Sequence, residues 1–230
     1  MLRQLSPDVF VAERPFMWNG IDVGGRSAVL RLSDGSLFVH SPVGLDDALR
    51  SALAALGTVK HVVAPNLEHL KYFPQWVAAY PEATGYAPPG MPASAPRHTV
   101  LARMPPAAWL GEVRSVLLDF ERVPVLGKAF FQESLFCFQR PGNPATVLCT
   151  DFFWNYPNDV PLPTRAWKFG MDQVYAPFYS NLMIKDKARA RDVAKQVAAW
   201  PIEALVPCHG RVMASEGRRA LLGVFDKVAS

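Results

Sequence analysis

The chain has 230 residues, half of them apolar, and a formal charge of +4. That length and hydrophobic share suffice for one large core and exclude a disordered chain. The basic residues cluster no more tightly than Arg189-Ala190-Arg191 and Arg218-Arg219, which gives no nucleic-acid footprint.

No stretch approaches the roughly 20 apolar residues of a membrane span, and Met1 to Pro7 contains no signal-peptide core, so a single cytoplasmic domain over 1–230 is expected. Cys137, Cys149 and Cys208 are odd in number, widely spaced and set among apolar residues. They read as reduced core thiols rather than a disulfide framework. Cys208, beside His209, is the one with a possible second role.

Residues 8–41 read as antiparallel strands: Val9 to Val11, Phe16 to Val23, Ala28 to Leu32 and Leu37 to Val39, with turn chemistry at Gly24-Gly25 and Asp34-Gly35. Leu45 to Leu56 carries helical spacing and stops at Gly57. A strand follows through Val62 and Val63 and ends at Pro65, which cannot donate to a ladder. Leu67, Leu70, Phe73 and Val77 share one face of a helix expected over 67–79.

Gly85 to Pro106 is broken by Pro and Ala and reads as a surface loop with one short strand. Strands return at 115–118, 134–138 and 145–149, the last two joined by a turn at Pro141-Gly142-Asn143-Pro144. Residues 156–177, with several prolines, read as an irregular connection. A helix over 185–200, a strand from Ala204 and a closing helix over 215–228 complete the chain.

Three of these strands end in polar clusters. Asn66, Glu68 and His69 follow the strand through Val63; Thr150 and Asp151 follow Cys149; His209 and Gly210 follow Pro207. Open α/β sheets place ligands at such strand ends. Imidazole and carboxylate together suit Zn²⁺, Fe or Mn²⁺. Each residue also has a structural reading. Glu68 suits a helix start or solvent, His69 a packed core, Asp151 an Asx turn and His209 a tight turn. His40 reads as structural or as a support to the site, His61 and His98 as structural or exposed, and Asn66 and Asn155 as loop residues or as groups that orient ligands.

The order of these elements resembles the metallo-β-lactamase fold. The blocks Leu37-Phe38-Val39-His40-Ser41-Pro42, Ala64-Pro65-Asn66-Leu67-Glu68-His69, Thr150-Asp151 and Pro207-Cys208-His209-Gly210 are similar to a bacterial and plant branch of it classed as a domain of unknown function. The resemblance implies a four-layer αββα sandwich of two mixed sheets. The family's main motif is His-x-His-x-Asp-His. Its last two residues fall on Glu68 and His69, which puts Ala64 and Asn66 where the first two histidines would be. No histidine occurs in 124–129, where a third would lie. The first metal position is therefore dismantled. The second maps to Glu68, His69, Asp151 and His209, and these four side chains are expected to converge at the mouth between the sheets on at most one ion, zinc before iron or manganese.

Two functions stay open on this reading. One is a single-metal hydrolase cleaving an ester, thioester or phosphodiester of a small molecule. The other is a non-catalytic binding or regulatory module, with a structural metal or none. Phe152, Phe153, Trp154, Tyr156, Trp167, Phe178 and Tyr179 either line a pocket for an apolar ligand or pack a core. Substrate and oligomeric state are not encoded in any motif.

Overall fold

The computed structural model describes residues 2–92, 94–101 and 109–229. Its first sheet runs β1 (Leu2–Ser6), β2 (Val9–Arg14), β5 (Gly25–Arg31), β6 (Ser36–His40), β7 (Thr58–Val63), β8 (Thr84–Ala87) and β9 (Thr99–Val100) in spatial order. The first four pair antiparallel and the rest parallel. The second sheet orders β10 (Val113–Leu117), β11 (Ser134–Phe138), β12 (Thr146–Cys149) and β13 (Ala204–Pro207), with only the last pair parallel. A two-stranded ribbon, β3 (Met17–Trp18) with β4 (Ile21–Asp22), stands apart from both.

The central strands β6, β11, β12 and β13 are buried on both faces, and period-two alternation sorts their side chains between layers. Val9, Val11, Leu30, Phe38, Phe136, Leu148 and Val206 form the core between the sheets. Phe10, Ala12, Val29, Leu37 and Val62 face the other way, against Leu49 and Leu53 of α1 (Asp47–Leu56) and Trp76 of α2 (Phe73–Ala79). On the far side, Leu135, Val147 and Leu205 meet Val193 and Val197 of α5 (Lys187–Ala198) and Leu221 and Phe225 of α6 (Gly217–Ala229). The layers are therefore α, β, β, α, as expected. Asp46 caps α1 by accepting from Leu49 N at 2.7 Å, and such a cap contributes about 1 kcal/mol.

Several local expectations are corrected. The helix expected over 67–79 begins only at Phe73, because Asn66 Oδ1 accepts from the backbone N–H of Glu68 and His69 and folds 66–69 into a turn. The first ribbon turns at Asn19-Gly20, both at positive φ, and not at Gly24-Gly25, which leads into β5. Residues 156–161 form an irregular connection as expected, but 162–177 are helical. Pro161 caps α3 (Leu162–Gly170), and Pro163 occupies its first turn, where a missing N–H costs nothing. The helix continues through π turns Met171–Tyr175 and Tyr179–Met183 flanking α4 (Ala176–Phe178). Leu2–Ser6 forms an edge strand where none was expected. The Gly85–Pro106 segment holds the end of β8 and all of β9, and its residues 93 and 102–108 lie outside the described set. Among the described residues no helix is long and apolar enough to cross a membrane.

Candidate metal centre

The carboxyl ends of β6, β7, β12 and β13 open at one edge of the sandwich, together with the amino ends of the antiparallel strands β5 and β11. That geometry collects Gly24, Ser41, Asn66, His69, Glu133, Asp151 and His209 from segments distant in the chain.

His69, Asp151 and His209 each present one ligand atom, and these atoms lie within 4.8 Å of one another. His69 Nε2 is 3.2 Å from Asp151 Oδ2, and His209 Nε2 is 3.6 Å from Asp151 Oδ1. The outer ring nitrogens are anchored. His209 Nδ1 donates to Gly24 O at 2.8 Å, which requires the proton on Nδ1 and leaves the Nε2 lone pair facing Asp151. His69 Nδ1 is 2.7 Å from Ser41 Oγ. Ser41 holds a left-handed backbone (φ 51°), a conformation seldom stored without a functional or packing reason. An imidazole fixed through its outer nitrogen is the usual support of a metal-binding histidine.

Glu68 is not brought into this group. Its exposed side chain lines the same cavity, and burial together with the charge of Asp151 raises its carboxyl above the ordinary range. Although burial opposes ionisation of Asp151, the neighbouring His69 charge holds its carboxyl down to about 2. The same pairing lifts His69 well above its ordinary value against the opposing burial. His209 is shifted downwards by burial, which outweighs Asp151. These shifts favour a charged His69 against Asp151 and a neutral His209 beside them.

Asn66, where the resemblance would put a histidine, is used otherwise. Its Nδ2 donates to Asp151 Oδ2 at 2.7 Å, to Thr150 Oγ1 at 2.9 Å and to Glu133 Oε2 at 3.2 Å. With its oxygen capping the turn, no atom of the amide is left to ligate. Ala64 is buried and has no donor.

Glu133 was missed at the level of sequence. Its buried carboxylate accepts from the backbone N–H of Thr150, Asp151 and Phe152 at 2.7, 2.8 and 3.0 Å, so it shapes the loop that carries Asp151. Burial and the charge of Asp151 push it up to about 7. The available signal was a lone acid directly before an apolar strand. Ser41 and Gly24 carried none, since each acts through strand register.

The remaining candidates fall elsewhere. His40 is fully buried against the Phe136 ring with neither ring nitrogen hydrogen-bonded, and burial drives it down to about 3. His61 pairs with Tyr86 OH and His98 with Pro96 O. Asn155 donates to Arg211 O. Cys137, Cys149 and Cys208 are free and buried. Phe152 and Tyr179 belong to the core under α5 and α6 with Phe153 packed against it, and Phe178 is exposed. Trp154, Tyr156 and Trp167 line a cavity of about 460 Å³ that opens over the three converging side chains.

No protein-family model matches the sequence, and no curated protein does. Solved structures do. The metallo-β-lactamase DIM-1, exposed to ceftazidime, superposes with a TM-score of 0.61 at 11% identity over 100% of this chain and 95% of that one. The metallo-β-lactamase FIM-1 from Pseudomonas aeruginosa, in its mono-zinc form, gives 0.60 at 11% identity over 100% and 96%. The metal-soaked Flv1 flavodiiron core from Synechocystis sp. PCC6803 gives 0.62 at 11% identity over 100% of this chain, which spans 60% of that one. At such identities the likeness establishes the fold, and the chain has the metallo-β-lactamase fold.

Proposed function

From the metallo-β-lactamase fold as premise, we propose that the protein is a hydrolase working with a single metal ion held by His69, Asp151 and His209. The observation that carries this reading is the inward lone pair of His209 Nε2, set by the Nδ1 donation to Gly24 O, opposite the Asp151 carboxylate and His69 Nε2. Two imidazoles and a carboxylate match zinc, which keeps one position open at sites of this kind; iron and manganese accept the same donors. The mono-zinc form of FIM-1 lends support, since there the same fold holds one zinc.

A bound ion of this class supplies Lewis acidity and a water ionised near neutrality. The chain's residues do the rest. Ser41 and Gly24 hold the two rings by their outer nitrogens, at 62° to each other, and Asn66 orients Asp151 by binding Oδ2. Glu68 stands on the cavity wall outside the ligand group, and its raised carboxyl suits it to take up and return a proton there rather than to complete the ligand set. An ester, thioester or phosphodiester of a small molecule fits these roles.

A metal-free binding module is the second reading. The observation favouring it is the 3.2 Å His69–Asp151 contact, through which the two charges satisfy each other. Elemental analysis of the purified protein, followed by assays with generic ester, thioester and phosphodiester substrates, separates the two. Near one equivalent of metal and turnover abolished by Asp151→Ala support the hydrolase. Absence of metal after zinc supplementation counts against it.

A further inference from the structure

We infer that the cavity over the centre is a binding site for a flat aromatic ligand bearing a hydrogen-bond acceptor, which for the hydrolase proposed above, on which this extension rests, means an aryl ester. The walls come from separate parts of the chain. Phe16 and Trp18 belong to the β3–β4 ribbon, Trp154 and Tyr156 follow the Asp151 loop, and Trp167 and Tyr175 come from the helix beginning at Leu162.

Tyr156 is buried and Tyr175 packs against the core under α5 and α6, but the indoles of Trp18, Trp154 and Trp167 are left partly exposed. Trp18 is 43% exposed, and the Trp154 and Tyr175 rings stand 6.1 Å apart with their planes at 52°. Partly wet indole and phenol faces arranged at open angles offer stacking and edge-to-face contacts that a flat ring satisfies and a puckered one does not. Tyr156, stacked on His209 with centroids 6.4 Å apart, joins the aromatic wall to the metal-binding group, so a ligand resting on that wall reaches the reacting centre.

The polar complement is equally specific. Ser41 Oγ is committed to His69, and Tyr156 O–H donates to Val23 O. The Tyr175 hydroxyl is buried and has no hydrogen-bond partner, although its ring lines the cavity. The hydroxyl itself is closed to solvent, so a ligand's acceptor meets it only when the Tyr175 side chain turns towards the cavity, and that contact removes the standing cost of an unpaired hydroxyl. Lys71 Nζ lies 5.0 Å from the Phe16 ring centroid and 5.2 Å from that of Tyr72, placing a cation at the aromatic rim rather than inside it. The aromatic wall therefore favours an uncharged ring, while the charged lining residues Arg26, Glu68, His69 and Asp151 belong to the side of the metal-binding group.

The test is calorimetric titration of the protein as purified with 1-naphthol and with decahydro-1-naphthol, which share a skeleton and a hydroxyl and differ in flatness. Saturable one-to-one binding of 1-naphthol, about tenfold tighter than its saturated analogue, is expected from two ring contacts. Tyr175→Phe, which keeps the ring and the fold, should weaken 1-naphthol about fivefold, the effect of one lost hydrogen bond. Trp167→Leu should weaken it further, with the thermal midpoint of each variant measured alongside. Equal binding of the two alcohols, or 1-naphthol binding untouched by both substitutions, overturns the inference. Hydrolysis of 1-naphthyl acetate and ethyl acetate separates this from the hydrolase reading. Selective 1-naphthol binding without turnover supports the aromatic site and counts against the hydrolase. Turnover of ethyl acetate without 1-naphthol selectivity overturns the aromatic site and leaves the hydrolase standing.

Discussion

Every polar atom of the Asn66 side chain is engaged at the centre, with the amide nitrogen between two carboxylates and the oxygen on the turn that carries His69. Asn66→Ala would leave Asp151 and Glu133 facing each other without a shared donor and would unpin the turn. A loss of about 2–4 kcal/mol is expected from those two effects, read from urea unfolding; a change within experimental error would show that the amide is incidental. His40 yields a prediction of pH dependence. Its pKa is about 3 in the folded chain against an ordinary 6.5, so the neutral ring is the folded form. The unfolded chain takes up the proton first, and the stability associated with this group is complete above pH 6.5 and falls as pH drops towards 3. Between pH 7.5 and 5 this amounts to about 2 kcal/mol for a fully buried ring. His40→Leu should flatten that part of the stability curve, and an unchanged slope would remove His40 as its source.

At the scale of elements, His209 is placed by a junction rather than by its strand alone. Gly210 has φ +80°, and a Cβ there would meet Asn155 C and O at 2.2 Å and Tyr156 N at 2.6 Å. Across that contact Asn155 N donates to His209 O, Arg211 N donates to Asn155 O, and the buried Arg26 guanidinium of β5 donates to both Pro207 O and Gly210 O. Gly210→Ala must push the strand end away from the Asn155 loop and is expected to cost about 3 kcal/mol or more while weakening metal retention, measured by thermal unfolding and metal content. Retention of both would contradict the clamp. Val62, Val63, Leu135, Phe136 and Val147 were legible as strands because buried β-branched and aromatic runs have few other uses, and Asp151 and His209 were legible because each directly follows such a run. The start of α2 was not, because the Leu67 and Leu70 spacing suits a helix while the Asn66 side chain binds the backbone first. Pro161 and Pro163 read as breakers when they begin α3. Glu133 offered only the weak signal of a lone acid before an apolar strand, and Ser41 none, because what their side chains reach is fixed only when strands far apart in the chain are laid side by side.

At the scale of the whole molecule, the three candidate ligands tie the two sheets together. His69 follows β7 of the first sheet, whereas Asp151 and His209 follow β12 and β13 of the second. An ion bound there cross-links the halves of the sandwich and binds only when they are apposed, so it should stabilise the fold by mass action. Free zinc at 100 times its dissociation constant is expected to add about 2.7 kcal/mol, visible as a rise in thermal midpoint that a chelator reverses. The stoichiometry should be one. Ala64 offers no ligand, and Asn66 has its oxygen on the 66–69 turn and its nitrogen on Asp151, so a second ion would meet an N–H donor where it needs a lone pair. Asp151→Ala and His209→Ala should each abolish both the metal content and the zinc-dependent rise. Asn66→Ala should lower stability while leaving the stoichiometry of the folded fraction at one. Two tightly held equivalents per chain would refute the single-site reading, and a zinc-dependent rise that persists in Asp151→Ala would move the ion away from this centre altogether.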